Sequence, residues 1–253
     1  MSRAGGLTRV RLHGNPGTIA GRRLGGLHSL ETHRLRKTGF KLLKRVAFPP
    51  PSVVLAELCG ILAGDGHVGI YQTSVATNSA TDMEHAVYVK SLFEKLFKLP
   101  ASLTIRKKQK ACAVVVSSKE VGRFLVSKGM VQGNKIRGGL QMPRWIRQRK
   151  SYETAFVKGL FDTDGCVYVD AHRIRGRTYK NIGMAFTNRC LPLLADFRSS
   201  LERQCLHPTQ KTKYAVFLRR EKDIQRYFAV VGSSNPKHLR KVADYFSLKG
   251  GVA

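Results

Sequence analysis

Two aspartates, Asp65 and Asp164, stand in matching surroundings 99 residues apart. Each precedes a glycine, Gly66 or Gly165, and each closes an apolar helical run. The runs are Leu58-Cys59-Gly60-Ile61-Leu62-Ala63-Gly64 and Val157-Lys158-Gly159-Leu160-Phe161-Asp162-Thr163. A single acid after a helix is an ordinary turn, but a repeated one is a candidate pair. If the two helices meet about a pseudo-twofold axis, the carboxylates converge. Like charges so placed raise a pKa unless a cation sits between them. Hard oxygen donors favour Mg²⁺, or another divalent cation such as Mn²⁺. Paired acids and a cation beside a polyanion-binding surface point to phosphodiester hydrolysis by activated water. Asp162 is a third acid, but Ala63 replaces it in the first copy, so it is left out of the catalytic pair. His67 reads as a packing or hydrogen-bonding residue rather than a base.

The elements that must hold these acids also repeat. Gly60 and Gly159 share one register, and a glycine inside a helix costs roughly 1 kcal/mol relative to alanine. Close approach of a second helix would compensate. Ser52 is placed to cap a helix over residues 53–63, and Ser151 to cap its counterpart. The first half continues with strands up to Asn78 and a helix over 82–96, with Val87, Leu92, Phe93 and Leu96 on its apolar face. A hairpin over 102–117 and a helix over 119–128 follow. The second half repeats this order. Strands over 166–171 and 179–187 are joined by a basic hairpin holding Arg173, Arg175 and Arg177. Asn188 stands where Asn78 stood, then come a helix over 192–204, a hairpin over 210–218 and a last helix. The fold class expected is α+β, two tandem αββαββα halves. The expected boundaries are a basic, flexible N-terminal extension over 1–51, the first half over 52–140, a connector over 141–150 and the second half over 151–253.

The chain has 45 Lys and Arg against 16 acids, a net charge of +29. Such a surface attracts polyanions. No apolar run is long enough to span a bilayer, so no membrane partner is expected. The five cysteines are scattered, with no spacing suited to zinc, and read as reduced thiols of an intracellular protein. No P-loop pattern is present, and the glycines of the N-terminal tail do not follow a strand, which excludes a Rossmann fingerprint.

LCGILAGDG and VKGLFDTDG resemble the two motifs of the LAGLIDADG homing endonucleases, in their two-motif, single-chain branch, and the resemblance covers roughly residues 52–246. It implies a monomer whose two four-stranded sheets form a saddle over double-stranded DNA. Asp65 and Asp164 match the family's metal-binding catalytic acids. The carbonyls of Gly64 and Thr163 match its backbone metal ligands. Gly60 and Gly159 match the glycines that let the central helices approach. A polar residue at Asn78 and Asn188 would support the metal site. Basic residues at strand ends would hold phosphates: Arg106, Lys107, Lys108, Lys110, Arg173, Arg175, Arg177, Lys211, Lys213, Arg219 and Arg220. The resemblance implies an intron-encoded enzyme that cuts both strands and leaves short 3′ overhangs. Its setting would be a bacterial or archaeal cytoplasm, or an organelle. A maturase that binds its own intron RNA is the alternative on the same fold.

Overall fold

A computed structural model describes residues 7–8, 11–12, 17–36 and 45–250, which fall in two units, residues 1–44 and 45–253. The first unit holds helix α1 (Ile19–Arg36), none of whose residues is buried. This helix lies within the basic extension expected over 1–51. Leu, Arg and Ala favour helix strongly enough to carry its three glycines. His33, Arg34 and Arg36 in its last turn complement the helix dipole. Residues 1–6, 9–10, 13–16 and 37–44 of that extension lie outside the described residues. Residues 45–51 belong instead to the second unit. There the Ala47 N–H donates to the Phe97 carbonyl at 3.1 Å, and the Phe48 ring packs 5.5 Å from Phe124.

The second unit begins with α2 (Val53–Gly64), followed by β1 (Gly66–Val68), β2 (Thr73–Asn78), α3 (Met83–Phe97), β3 (Ser102–Arg106), β4 (Ala111–Val116) and α4 (Lys119–Ser127). A short helix α5 (Arg144–Arg147) leads into α6 (Lys150–Asp164), β5 (Gly165–Ile174), β6 (Arg177–Thr187), α7 (Leu191–Arg203), β7 (Thr209–Thr212), β8 (Ala215–Leu218), α8 (Glu221–Val230) and α9 (Pro236–Gly250). Two antiparallel sheets result, ordered β1-β2-β4-β3 and β5-β6-β8-β7. The α+β class and the repeated order are therefore as expected. Each sheet has helices on one face, and one continuous apolar core runs through α2, α6 and the inner faces of both sheets.

Local signals explain most boundaries. The Ser52 hydroxyl accepts from the Leu55 N–H at 3.2 Å and starts α2. Ser151 does not do the same for α6, which already begins at Lys150 with Arg149 at its cap. On α3, Val87 is exposed, and the apolar face runs through Ala86, Val89, Phe93 and Phe97. The strands β5 and β6 are longer than expected and carry Arg173 and Arg177 within them. Helix α9 has no counterpart in the first half. The Lys241 Nζ donates to the Val167 carbonyl at 3.0 Å and the Tyr245 hydroxyl to the Lys180 carbonyl at 3.1 Å, fixing α9 against one face of the β5–β6 hairpin.

Candidate active site

The site lies where α2 and α6 cross. A Cβ on Gly60 would stand 2.1 Å from the Phe156 carbonyl oxygen, and one on Gly159 would stand 2.3 Å from that of Glu57. Only glycine permits this separation, and backbone rather than movable side chain fills the space. Further along the crossing, a Cβ on Gly64 would be 3.4 Å from the Asp164 carboxyl carbon. The C-terminal ends of both helices, and the acid that follows each run, are thereby brought face to face. The carboxyls of Asp65 and Asp164 come within hydrogen-bonding reach of one another.

Electrostatics set the pair apart from surface acids. Burial pushes the Asp65 carboxyl up, Lys135 offsets part of this, and Asp82 adds to it. The Asp65 side chain keeps a solvent-open face by area, so its desolvation comes from the protein packed densely around its other sides. Burial also raises Asp164, and the Asp65 charge raises it further; the hydrogen bond from Asn188 opposes both. The Asn188 Nδ2 donates to Asp164 Oδ2 at 2.6 Å, while its Oδ1 accepts from the Cys190 N–H at 2.7 Å. Asn78 makes the same turn, accepting from the Ala80 N–H at 2.8 Å. No hydrogen bond from Asn78 to Asp65 accompanies it among the described residues. The two halves of the site thus differ: Asp164 is clamped and Asp65 is not.

Lys135 is the residue that sequence reasoning missed. Its Nζ donates to the Gly64 carbonyl, with the Ala63 and Leu62 carbonyls at 3.1 and 3.4 Å. The ammonium therefore caps the end of α2 and sits in the field of both acids. Burial lowers its pKa, and Asp164 and Asp65 pull it back up. No motif marks Lys135, which lies in the basic connector 71 residues beyond Gly64. A positive charge far along the chain becomes informative only once the fold is known.

Asp162, set aside from the pair, has a structural task. It accepts from the Ser233 hydroxyl and, at 2.7 Å, from the Ser234 N–H. The Asn235 amide then bridges the Asp82 carboxylate at 2.7 Å and the Asp162 carbonyl at 3.0 Å. Glu57, buried on α2, pairs with Lys158 of α6 at 2.9 Å and accepts from Ser234 at 2.7 Å. This loop staples the second half to the first. His67 is exposed rather than packed.

Among the described residues no group of three or more His, Cys, Asp and Glu gathers to hold a metal. A cation here would rest on Asp65, Asp164 and backbone oxygens. Such a sparse, all-oxygen set fits an ion that keeps several waters, as Mg²⁺ does. The Gly64 carbonyl is engaged by Lys135, so its use as a ligand requires that ammonium to move. The Thr163 hydroxyl bonds the Leu160 carbonyl at 2.9 Å and fills the gap facing Gly64.

The basic candidates fall at strand ends. Arg106 ends β3, Lys108 and Lys110 lie in the β3–β4 turn, Lys211 lies near the end of β7 and Lys213 in the β7–β8 turn. Arg173, Arg175 and Arg177 surround the tip of the β5–β6 hairpin, and Arg219 and Arg220 follow β8. All of these are exposed. The Arg219 guanidinium lies 4.9 Å from the Phe217 ring centroid. The side chain of Lys107 lies outside the described residues. No helix of the described residues is long and apolar enough to cross a membrane.

Comparison with known proteins adds to this geometry. Residues 151–242 match the LAGLIDADG-like domain. The ribonucleoside-diphosphate reductase NrdEB subunit alpha of Bacillus subtilis (strain 168) is 29% identical over 174 residues, covering 62% of this chain and 16% of that protein. The chain thus spans about one sixth of the length of the curated relative it matches. The LAGLIDADG meganuclease I-AabMI bound to uncleaved DNA shares the fold with a TM-score of 0.51, at 10% identity over 76% of this chain and 88% of that one. I-SmaMI bound to an uncleaved DNA target in the presence of calcium ions does so with a TM-score of 0.52, at 11% identity over 78% and 89% of the two chains. Residues 151–242 are thus similar to the LAGLIDADG-like domain, and the pseudo-repeat carries the same fold through the first half.

Proposed function

We propose that this LAGLIDADG chain is a site-specific endonuclease of double-stranded DNA, an intron-encoded homing endonuclease that works as a monomer with Mg²⁺ held by Asp65 and Asp164. The observation that carries this reading is the convergence of the two acids at the end of the helix crossing, between two sheets edged with exposed cations. A bound divalent cation supplies Lewis acidity toward water and the scissile phosphate. The chain supplies the rest. Asp65 and Asp164 would hold the ion, and Asn188 fixes the orientation of Asp164. Lys135 neutralises the acid pair while the site is empty of substrate and is drawn off the Gly64 carbonyl as the site fills. Arg106, Lys108, Lys110, Arg173, Arg175, Arg219 and their neighbours neutralise phosphates and hold the duplex in register. Counterions released by those contacts make binding strongly salt-dependent. The fold relatives solved with DNA, one of them with calcium ions, support the same reading.

The test is cleavage selection. Purified protein is incubated with a randomised duplex library in Mg²⁺, in Mn²⁺ and in chelator. Recovery of one cut sequence, dependent on the divalent cation, is the expected result. Tight binding of an intron RNA with no DNA cut under any cation would replace this reading with the maturase.

A further inference from the structure

The two sheets are unequal where they would meet a duplex. In the first, β1 pairs with β2 over three residue pairs, Gly66↔Val75 to Val68↔Thr73. In the second, β5 pairs with β6 over ten, Gly165↔Phe186 to Ile174↔Arg177. This long hairpin is held by β8 alongside Met184 to Thr187 and by α9 on one face, where Lys241 bonds Val167 and Tyr245 bonds Lys180. Its outer five pairs, from Asp170↔Asn181 to Ile174↔Arg177, form a two-stranded ribbon beyond β8 whose residues are exposed apart from the half-buried His172, with α9 reaching only as far as Lys180. A two-stranded ribbon is one of the shapes the major groove admits. At about 3.3 Å per residue, five pairs reach roughly 17 Å, or about five base-pair steps.

The open faces differ in chemistry as well as length. Across the first sheet, the side chains pointing away from the helices include His67, Ser74, Ala76, Ala113, Val115 and Thr104. Asn78 and Arg106, both in register with Ala111, lie at the edge of the same face; of the others, all but His67 are short. The matching face of the second hairpin carries Tyr168, Asp170, His172, Arg177, Tyr179 and Asn181. These are long side chains rich in donors and acceptors. His172 and Tyr179 stack across the strands with ring centroids 5.9 Å apart, and the Tyr168 ring lies over Gly183 where a side chain would collide. The face is thus ordered before any ligand arrives. Arginine matches the edge of guanine, asparagine that of adenine, and aspartate accepts from cytosine. Ser, Ala and Val reach little beyond a thymine methyl.

We propose that base recognition in this protein is lopsided. The second half reads the longer and more specified side of the target through the ribbon of residues 170–181, and the first half chiefly positions the duplex. This rests on the endonuclease reading above, since it presumes that a DNA site is recognised.

The experiment uses the full chain carrying Asp65→Asn and Asp164→Asn, which binds without cutting, and selects from a duplex library randomised over several helical turns. The expected consensus extends about five base pairs further on one side of its centre than on the other. Adding Arg177→Ala and Tyr179→Ala, both exposed and outside the core, should flatten those outer positions by about tenfold or more in discrimination each. The other side of the consensus should persist. Equal reach on both sides, or a consensus untouched by the ribbon substitutions, would overturn the lopsided reading while leaving the endonuclease reading intact. No enriched sequence from either protein would overturn both.

Discussion

Replacing Gly60 with alanine attacks the helix crossing at its narrowest point. The new Cβ would stand 2.1 Å from the Phe156 carbonyl oxygen and 2.9 Å from its carbon. Both atoms are backbone of α6, so no side chain can swing aside. Ordinary contacts of this kind do not fall under 3.0 Å, so the helices must part by about 1 Å near that point. Alanine gains roughly 1 kcal/mol of intrinsic helix preference over glycine. Forced over-packing of a core costs about 1–3 kcal/mol and more where the backbone must move. Parting the helices also loosens Leu58, Ile61 and Leu160, all fully buried. The expected net loss is about 3 kcal/mol. Function should suffer more than stability, because Asp65 and Asp164 are carried on the two helices that separate. A misplacement of about 1 Å can cost on the order of a hundredfold in rate. Urea unfolding gives the stability change and cleavage of the selected target gives the rate. Gly25→Ala, on α1 with nothing within 4 Å of its added carbon, is the control and should change stability by less than about 0.5 kcal/mol. A Gly60→Ala protein as stable as the parent, and cutting at the parent rate, would refute the close crossing.

Other consequences follow from the asymmetry and charge of the site. Lys135→Met removes the ammonium from the Gly64 carbonyl and a positive charge from beside both acids. Calorimetric titration should therefore show Ca²⁺ binding tightened several-fold, and unchanged or weaker binding would mean that Lys135 lies elsewhere in solution. Asn188→Ala should slow cleavage more than Asn78→Ala, because Asn188 hydrogen-bonds Asp164 whereas Asn78 makes no such bond to Asp65 among the described residues; strand-resolved cleavage gels compare the two. Burial keeps His238 neutral, with its pKa brought down to about 4. An unfolded histidine takes its proton near pH 6.5, so the unfolded state binds more protons between these values. The contribution of His238 is thus complete above about pH 6.5, is lost as the pH falls toward about 4, and amounts to roughly 3 kcal/mol. The Asp162 and Asp164 carboxyls, both raised by burial, act with the opposite sign in the same window. The difference between parent and His238→Phe isolates the histidine term. The variant should lose less stability on acidification, and parallel pH profiles would contradict a neutral buried His238.

The sequence made the repeat, the two acids and the glycine crossing legible because each rests on local spacing. Gly60 and Gly159 had to mean a close approach, since nothing else offsets glycine in a helix. The separation of Asp162 from the pair was also readable, from Ala63 alone. Its actual role was not, because Ser233 and Ser234 come from 71 and 72 residues away. Lys135 escaped for the same reason, being one cation in a long basic connector. The ribbon of β5 and β6 was shortened because a strand exposed on both faces shows no alternation of apolar and polar residues. Helix α9 was hidden by the repeat itself: the first half has no counterpart to suggest it. At α1, three glycines and the absence of a sustained apolar period hide the helix that the leucines, arginines and alanine form.

Asp65→Asn and Asp164→Asn, made singly and together in the full chain, test the central claim most directly. Each keeps the shape of the side chain and removes the charge that would hold a cation. Double-strand cleavage of the selected target in Mg²⁺ should be abolished in every variant, with affinity for the same duplex kept within a few-fold of the parent. Undiminished cutting of both strands by each single variant would contradict the paired-acid mechanism.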